Sequence, residues 1–410
     1  MNNVRVGDIG TTVTGKTPST KYSEYFDGDI MFVTPVDLKQ NYYIDRSERY
    51  ITDAGLDSIK KNSISDKSVL VGCIGSDLGN IAMVNEKCAT NQQINSITNF
   101  KSEYSPEYVY YWFTTKKAWL RSIAGNTTTP IINKTDFDNI TIQFPDRVEQ
   151  DKIVSVLSAI DDKIAINNKI IETSEKLMRE IYDYWFVQFD FPDENGRPYK
   201  SSGGEMIYDE TLKREIPKGW STKKLGNICK VSLGGTPSRS INEYWEDGDI
   251  DWLSSGEIAN FPIVESIERI THKGLENSAA KLLKAGSVMI SITGNIRVSV
   301  LAINASANQS VVGIEESEFV KNTYLYQYLS SLVPEYESKM TGAVQKHINK
   351  DIVAETLLIL PHKEILDYFE HVANPILKSI ILLAIEDKKL ASLRDWLLPM
   401  LMNGQIKVSD

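Results

Sequence analysis

The sequence repeats itself on the scale of a domain. Gly7-Asp8-Ile9 returns as Gly226-Asn227-Ile228, and Gly15-Lys16-Thr17-Pro18-Ser19 returns as Gly234-Gly235-Thr236-Pro237-Ser238. Glu24-Tyr25-Phe26 meets Glu243-Tyr244-Trp245, and Asp27-Gly28-Asp29-Ile30 meets Asp247-Gly248-Asp249-Ile250. Further along, Ser68-Val69-Leu70-Val71 meets Ser287-Val288-Met289-Ile290, and Asn91-Gln92 meets Asn308-Gln309. Gly125 meets Gly342, Ile132-Asn133-Lys134 meets Ile348-Asn349-Lys350, and Pro145 meets Pro361. The order is kept and the register drifts by only a few residues, which chance does not produce. A period near half the chain is too long for a solenoid and suits a duplicated domain.

Each half reads as mixed. Short β-rich runs, such as Ile30 to Val33 and Ser68 to Ile74, are punctuated by Gly, Asn and Asp, and Ser287 to Thr293 and Val298 to Ile303 repeat that role. A helical stretch follows late in each half, over Pro106 to Ser122 and Asn322 to Met340. The fold class is α+β, with two pseudo-repeated mixed domains. The boundaries read as a first domain over 1–145, a helix over 146–187, a linker over 188–217, a second domain over 218–361 and a second helix over 362–410.

After Pro145 the apolar period changes to 3.5. Leu157, Ile160, Ile164, Asn167, Ile171, Ser174, Met178, Ile181 and Trp185 alternate steps of three and four, the seam of a coiled coil. Asp146 with Glu149 three residues on forms a capping-box signature at its start. Such a helix would run ~60 Å at 1.5 Å per residue. Asn167 and Ser174 are polar positions that fix register. The second copy uses Ile376, Ile380, Leu383, Leu390, Leu397 and Leu401. Asn374-Pro375 predicts a restart with Asn374 as N-cap, and Pro399 and Gly404 predict the stop. Two stripes of similar length are buried most economically against each other, as an antiparallel coiled coil. Between the helices, 188–217 is polar and rich in Pro and Gly, the composition of a surface linker.

The chemistry-bearing motifs are few. Gly10-Thr11-Thr12-Val13-Thr14-Gly15-Lys16-Thr17 matches the phosphate-loop pattern. The second copy has no lysine there, and no apolar strand ending in Asp offers a magnesium ligand. The two copies share a Gly, Thr-Pro-Ser and Glu-Tyr-aromatic turn instead. Cys73, Cys88 and Cys229 form no CxxC pair, and His272, His347, His362 and His371 all fall in the second half, so no zinc spacing or nucleophilic triad is assembled. Asn374-Pro375-Ile376-Leu377 lacks the second proline and aromatic of an adenine-methyltransferase motif. No apolar run approaches a membrane span, and Met1 to Arg5 carries no apolar signal core. The expectation is a chain that is no catalyst itself, needs no cofactor or metal of its own, and stays off membranes. Polar loop residues are the better candidates for function. Lys16, Thr17, Ser19 and Lys21 answer to Thr236, Ser238 and Arg239. Asn126, Thr127 and Thr128 with Lys134 answer to Gln345, Lys346, His347 and Lys350. Such side chains bond phosphates and base edges. The net charge of −10 opposes DNA binding unless local basic patches or partners supply positive charge.

Several segments resemble the specificity subunits of type I restriction–modification enzymes. Leu157-Ser158-Ala159-Ile160-Asp161-Asp162-Lys163-Ile164, Asn167-Asn168, and Trp185-Phe186-Val187-Gln188-Phe189-Asp190 are similar to that family's central region. Gly234 to Ser238, Ile216-Pro217-Lys218-Gly219-Trp220, and Pro145 with Glu149-Gln150 match its recurring pieces. The first copy lacks the Ile-Pro-x-Gly-Trp lead-in, and the second reads Glu364-Ile365 where the first has Glu-Gln. The resemblance implies two target recognition domains, each reading half of a split asymmetric site on double-stranded DNA. It implies that the helices space the domains and dock two methyltransferase subunits, with a nuclease–translocase restriction subunit joining them. S-adenosylmethionine, ATP and magnesium would then belong to the partners, and the complex would be cytoplasmic. The residue-level alternatives are a coiled-coil scaffold without DNA readout and a phosphate-loop nucleotide hydrolase.

Overall fold

The computed structural model of the protein describes residues 2–39, 42–125, 129–341 and 346–408. Two compact units emerge, Met1–Ile166 with Lys389–Asp410, and Asn167–Lys388. The two long helices each have one end in either unit.

Unit 1 is built on a four-stranded antiparallel sheet. Its strands are β1 (Thr11–Thr14), β2 (Ser68–Gly72), β3 (Ile81–Val84) and β4 (Ile94–Thr98), in spatial order β1-β4-β2-β3. Every residue of β2 and β4 is buried, so these strands lack the polar alternation of an exposed sheet face. A second sheet contains one parallel pair, Phe26–Val33 beside Cys88–Thr90. The N-terminal strand Asn2–Arg5 pairs antiparallel with Thr141–Phe144. Helix α1 (Pro106–Thr114) starts on the Ser105 side chain, which accepts from the Tyr108 amide, with Pro106 at the first turn. Tyr108 to Phe113 are all buried there. Helix α2 (Lys117–Ile123) follows after a break, so the single helix expected from the sequence is two. Helix α3 (Arg147–Tyr182) begins where the Asp146 carboxylate accepts from the Glu149 amide at 2.9 Å.

Unit 2 repeats this plan. Strands β5 (Lys230–Leu233), β6 (Val288–Ser291), β7 (Val298–Val300) and β8 (Val311–Glu315) are ordered β5-β8-β6-β7 and are again antiparallel. The parallel pair returns as Ile250–Leu253 beside Ala305–Ala307, and the closing pair as Ser221–Lys224 with Leu357–Leu360. Helices α4 (Asn322–Ser331) and α5 (Val333–Ser338) stand where α1 and α2 stand in unit 1, with Pro334 starting the second of them. Even a buried hydroxyl is conserved in role. Tyr108 donates to the Gln143 carbonyl at 3.4 Å, and Tyr324 to that of Ile359 at 2.8 Å. The three cysteines are free and buried, and burial pushes the Cys73 and Cys88 thiols up to about 12.

The stretch 188–217, expected as a linker, is a packed element. It forms the hairpin Met206–Asp209 with Arg214–Pro217, and Phe189, Phe191 and Ile216 enter the core of unit 2 beside Trp220. The aromatic residues within its polar composition supply the apolar area that a free linker lacks.

The long helices pair antiparallel as expected. In unit 1, Ile153 and Leu157 of α3 share a core with Leu398, Leu401 and Met402 of α6 (Lys363–Met402). In unit 2, Met178, Tyr182, Trp185 and Phe186 pack with Leu366, Phe369, Ala373 and Leu377. The seam residues Leu157, Asn167, Met178, Trp185, Ile380 and Leu401 are buried; Ile160, Ile164, Ile171, Ile181, Ile376, Leu383, Leu390 and Leu397 are partly buried. Polar contacts set the register. Asn167, fully buried, donates to Glu386 and Asp387, each at 2.7 Å. In unit 1, Asp161 accepts from Arg394 at 2.8 Å and from the Tyr111 hydroxyl at 2.7 Å, tying α1 to both long helices.

Two expectations about α6 change. The helix runs unbroken through Asn374-Pro375, so Asn374 is no N-cap. Pro375 lies on the exposed face, where water can satisfy the carbonyl that its missing N–H leaves free, while Ala373 and Leu377 hold the buried face on either side. The helix also contains an 18-residue window of mean hydropathy 1.2, long and apolar enough to cross a membrane by composition. Its apolar residues supply part of the seam with α3, Ile376 and Ile380 among them.

The Asp161–Arg394 pair yields a stability prediction. The Asp161 side chain is 4% exposed, so Arg394→Met leaves a buried carboxylate with only a tyrosine hydroxyl. The expected cost is about 3 kcal/mol in urea denaturation at neutral pH. Adding Asp161→Asn to that variant should recover a large part of the loss, because the stranded charge is gone.

Candidate nucleic-acid interface

One end of each four-stranded sheet gathers the loops that carry most of the candidate residues. In unit 1, β1 ends where β4 begins, with Thr14 opposite Asn95 and their side chains bonded at 2.7 Å. The Gly15 amide donates to the Ile94 carbonyl at 3.0 Å, and a Cβ at Gly15 would collide with the Asn91 carbonyl. That contact, not a bound phosphate, explains the glycine. Thr17 donates to the Gln92 side chain at 3.0 Å. The Cys73 amide donates to Gln93, that of Ile132 to Cys73, and that of Gly75 to Pro130, at 2.8, 2.9 and 3.0 Å. Four loops are thus laced into one surface.

Unit 2 reproduces the lacing except at the sheet end, where Leu233 opposite Val312 replaces the bonded Thr14 and Asn95. The Gly234 amide donates to Val311, and its Cβ position is closed by the Asn308 carbonyl. Thr236 donates to Gln309. The Ile292 amide donates to Ser310 at 2.9 Å, that of Ile348 to Ile292 at 2.9 Å, and that of Gly294 to Lys346 at 3.1 Å. Backbone bonds of this kind hold loop frames while leaving outward side chains free to diverge.

On this frame Lys16, Ser19 and Lys21 are exposed, with no ion pair among the described residues, while Thr17 is tied to Gln92. Lys134 lies at the flank of the sheet, bonded to Thr12 at 2.7 Å and to Asp138 at 3.0 Å. Asn126, Thr127, Thr128 and Gln345, together with Gly342, lie outside the described residues. In unit 2, Lys346 and His347 occupy the loop beside Thr293-Gly294, and Lys350 opens the short helix Lys350–Ala354. Ser238 shares a hydrogen bond with Ser240 at 2.8 Å. Arg239 is engaged within the unit. Its guanidinium lies 3.6 Å from the Trp245 ring centre and grips Glu268 at 2.5 and 2.8 Å, and those hydrogen bonds hold the Glu268 carboxyl below the usual carboxylate range. Here Arg239 clamps its own loop.

Sequence reasoning missed four residues. Gln92 and Gln309 bridge the loops, and their signal was present in the repeated Asn-Gln pair. Arg121 donates to the carbonyls of Leu78 and Ser76, both at 3.1 Å, holding the turn after β2. Arg297 is exposed beside β7. The two arginines have no counterpart in the other copy, so the repeat gave no sign of them.

The phosphate-loop pattern dissolves in this geometry. Thr11 to Thr14 is strand β1, whose ladder with β4 engages backbone groups that a phosphate would need. The next element is the short turn Ser23–Tyr25 rather than a helix that could present its N-terminus. Among the described residues, no group of three or more His, Cys, Asp or Glu can hold a metal ion.

Two diverged copies of one laced loop surface mark a recognition protein. The chain belongs to the type I restriction–modification DNA specificity family, whose domain model matches residues 1–176 and again 217–394. Members are non-catalytic and recognise DNA through target recognition domains. The chain is 31% identical to the MjaIX specificity subunit of Methanocaldococcus jannaschii over 99% of its own length and 93% of that protein. It is 22% identical to the HindI specificity subunit of Haemophilus influenzae over 98% of both chains. Its fold is similar to that of a type I restriction–modification S subunit from M. genitalium, with a TM-score of 0.60 at 14% identity, covering 98% of this chain and 95% of that one.

The strand geometry predicts that calorimetric titration of the full chain with magnesium–ATP gives no saturable heat, and that Lys16→Ala changes nothing. Saturable binding abolished by that substitution would restore the nucleotide site.

Proposed function

We propose that the chain is the specificity subunit of a type I restriction–modification complex in which each unit reads one half of a split, asymmetric DNA site. The observation that supports this most is the shared lacing under unlike side chains. Lys21 is exposed where unit 2 has an exposed Ser240, and Lys16 stands where it has Gly235, which carries no side chain. A common frame with different outward groups suits two related but distinct half-sites. Tethering two readers in one chain raises the effective concentration of the second for its half-site.

The paired helices would act as spacer and dock two methyltransferase subunits, with a restriction subunit joining that assembly. Apolar side chains left outside the seam support docking. In unit 2, Ile170 and Leu177 of α3 and Tyr184 in the helical turn that follows it are exposed at a spacing of seven, and Leu382 is 67% exposed on α6. In unit 1, Leu393 and Trp396 of α6 are exposed, the latter by 58%. Exposed apolar side chains in rows mark association surfaces. S-adenosylmethionine, ATP and magnesium would be bound by those partners, and the complex would act in the cytoplasm, where the DNA is.

Two measurements test the reading. Mapping N6-methyladenine in the host genome with and without this gene should show one bipartite motif lost with the gene; if no such motif disappears, the proposal fails. Exchanging residues 1–145 for the matching domain of a relative should change one half of that motif and leave partner assembly intact. A motif that survives the exchange unaltered would favour a scaffold without readout.

A further inference from the structure

The repeat predicts like surfaces on the two units, and one surface departs from that in charge. Helix α2 of unit 1 carries Lys117 and Arg121, with Lys116 just before it, and exposes Trp119 and Ile123. The matching helix α5 of unit 2 carries Glu335 and Glu337, both exposed, with Lys339 after it paired to Glu335. Three cations in one copy thus correspond to two carboxylates and one lysine in the other.

The unit 1 surface is concave. A hollow of about 270 Å³ is lined by Lys39, Gly79, Asn80, Tyr110, Thr114 and Lys117, among others. Lys117 donates to the Asn80 side chain at 2.7 Å, and Lys39 pairs with Asp77 at 2.7 Å. Each ammonium has three donors, so neither bond exhausts it. Gly79, at φ +84°, lets the turn lie directly against Lys117. Arg121 bonds to carbonyls of the same turn, and Gly75 of that turn bonds to Pro130 in the laced frame. The hollow is therefore continuous with the candidate reading edge. With Asp77 counted, Lys39 and Lys117 still leave it cationic in a chain of net charge −10.

We propose that this hollow is a docking site for a phosphate of the DNA backbone, with Lys39 and Lys117 as its ligands, and that unit 2 has no equivalent. The two units then grip DNA unequally: unit 1 anchors the backbone beside its half-site, and unit 2 relies on its loops. The inference rests on the reading of DNA proposed above. An acidic protein surface is the competing occupant, and the continuity with the reading edge favours DNA.

The test uses the full chain co-purified with its methyltransferase subunits and labelled duplexes with the motif intact or scrambled. Affinity is followed by fluorescence anisotropy over about 50–200 mM salt. Lys39→Gln with Lys117→Gln should weaken both duplexes by the same factor, about tenfold, and flatten the salt dependence of log affinity by about one, the slope of a single phosphate contact. Lys87→Gln, at the far end of β3, should change neither. Unchanged affinity and slope would overturn the proposal. So would a loss confined to the intact motif, which would make these lysines base readers, or a loss of the methyltransferase subunits with DNA affinity per complex preserved. If the unsubstituted complex does not distinguish the two duplexes, the DNA reading itself fails, independently of the lysine result.

Discussion

Neither long helix can stand alone, because each carries an apolar stripe that water disfavours. Burying α3 against α6 removes the stripes from water and gives each unit the floor on which its sheets and aromatic helix rest. In unit 1 that floor is Ile153 and Leu157 against Leu398 and Leu401; in unit 2 it is Tyr182 and Phe186 against Phe369 and Leu377. Phe186 meets Phe369 edge to face at 5.0 Å, a pairing that contributes about 1 kcal/mol beyond its buried area. Apolar contacts give the pairing its strength but not its register. The register comes from Asp161 with Arg394 and from Asn167 with Glu386 and Asp387, since a shift along the seam would strand buried polar groups.

On this floor each unit builds the same loop frame from backbone hydrogen bonds. The glycines at 15 and 234 are required by a close approach of backbone to backbone, so they persist in both copies; the next residue diverges, an exposed Lys16 in unit 1 and in unit 2 a Gly235 held against the Ala279–Ala280 backbone. Outward side chains can then diverge without disturbing the fold, which is what the proposed reading of two half-sites requires. The opposite charges of α2 and α5 show how far the divergence reaches, from the loops into the helix beside them.

Much of this was legible in advance. The repeat exposed the duplicated domain because matched glycines and turn residues mark matched backbone constraints. The 3.5-residue apolar period exposed the helix pair and most of its seam. Repetition also weakened Lys16 as a nucleotide ligand, and β1 supplies the reason: its residues form a sheet ladder. The errors have specific causes. Proline propensity argued for a helix restart at Asn374, and packing on both sides of Pro375 overrode it. Polar composition argued for a linker over 188–217, and three apolar side chains, Phe189, Phe191 and Ile216, were enough to fold it onto unit 2.

By itself the sequence determined that the chain is two copies of an α+β reader, each followed by a long apolar-striped helix, because periodicity and turn chemistry are local properties. Only the tertiary structure decided which loops meet at one sheet end, that Arg239 is absorbed by Glu268 and two tryptophans, and that Lys39 and Lys117 line one hollow although they lie far apart in the chain. Those outcomes depend on contacts distant in sequence, and no local pattern encodes them.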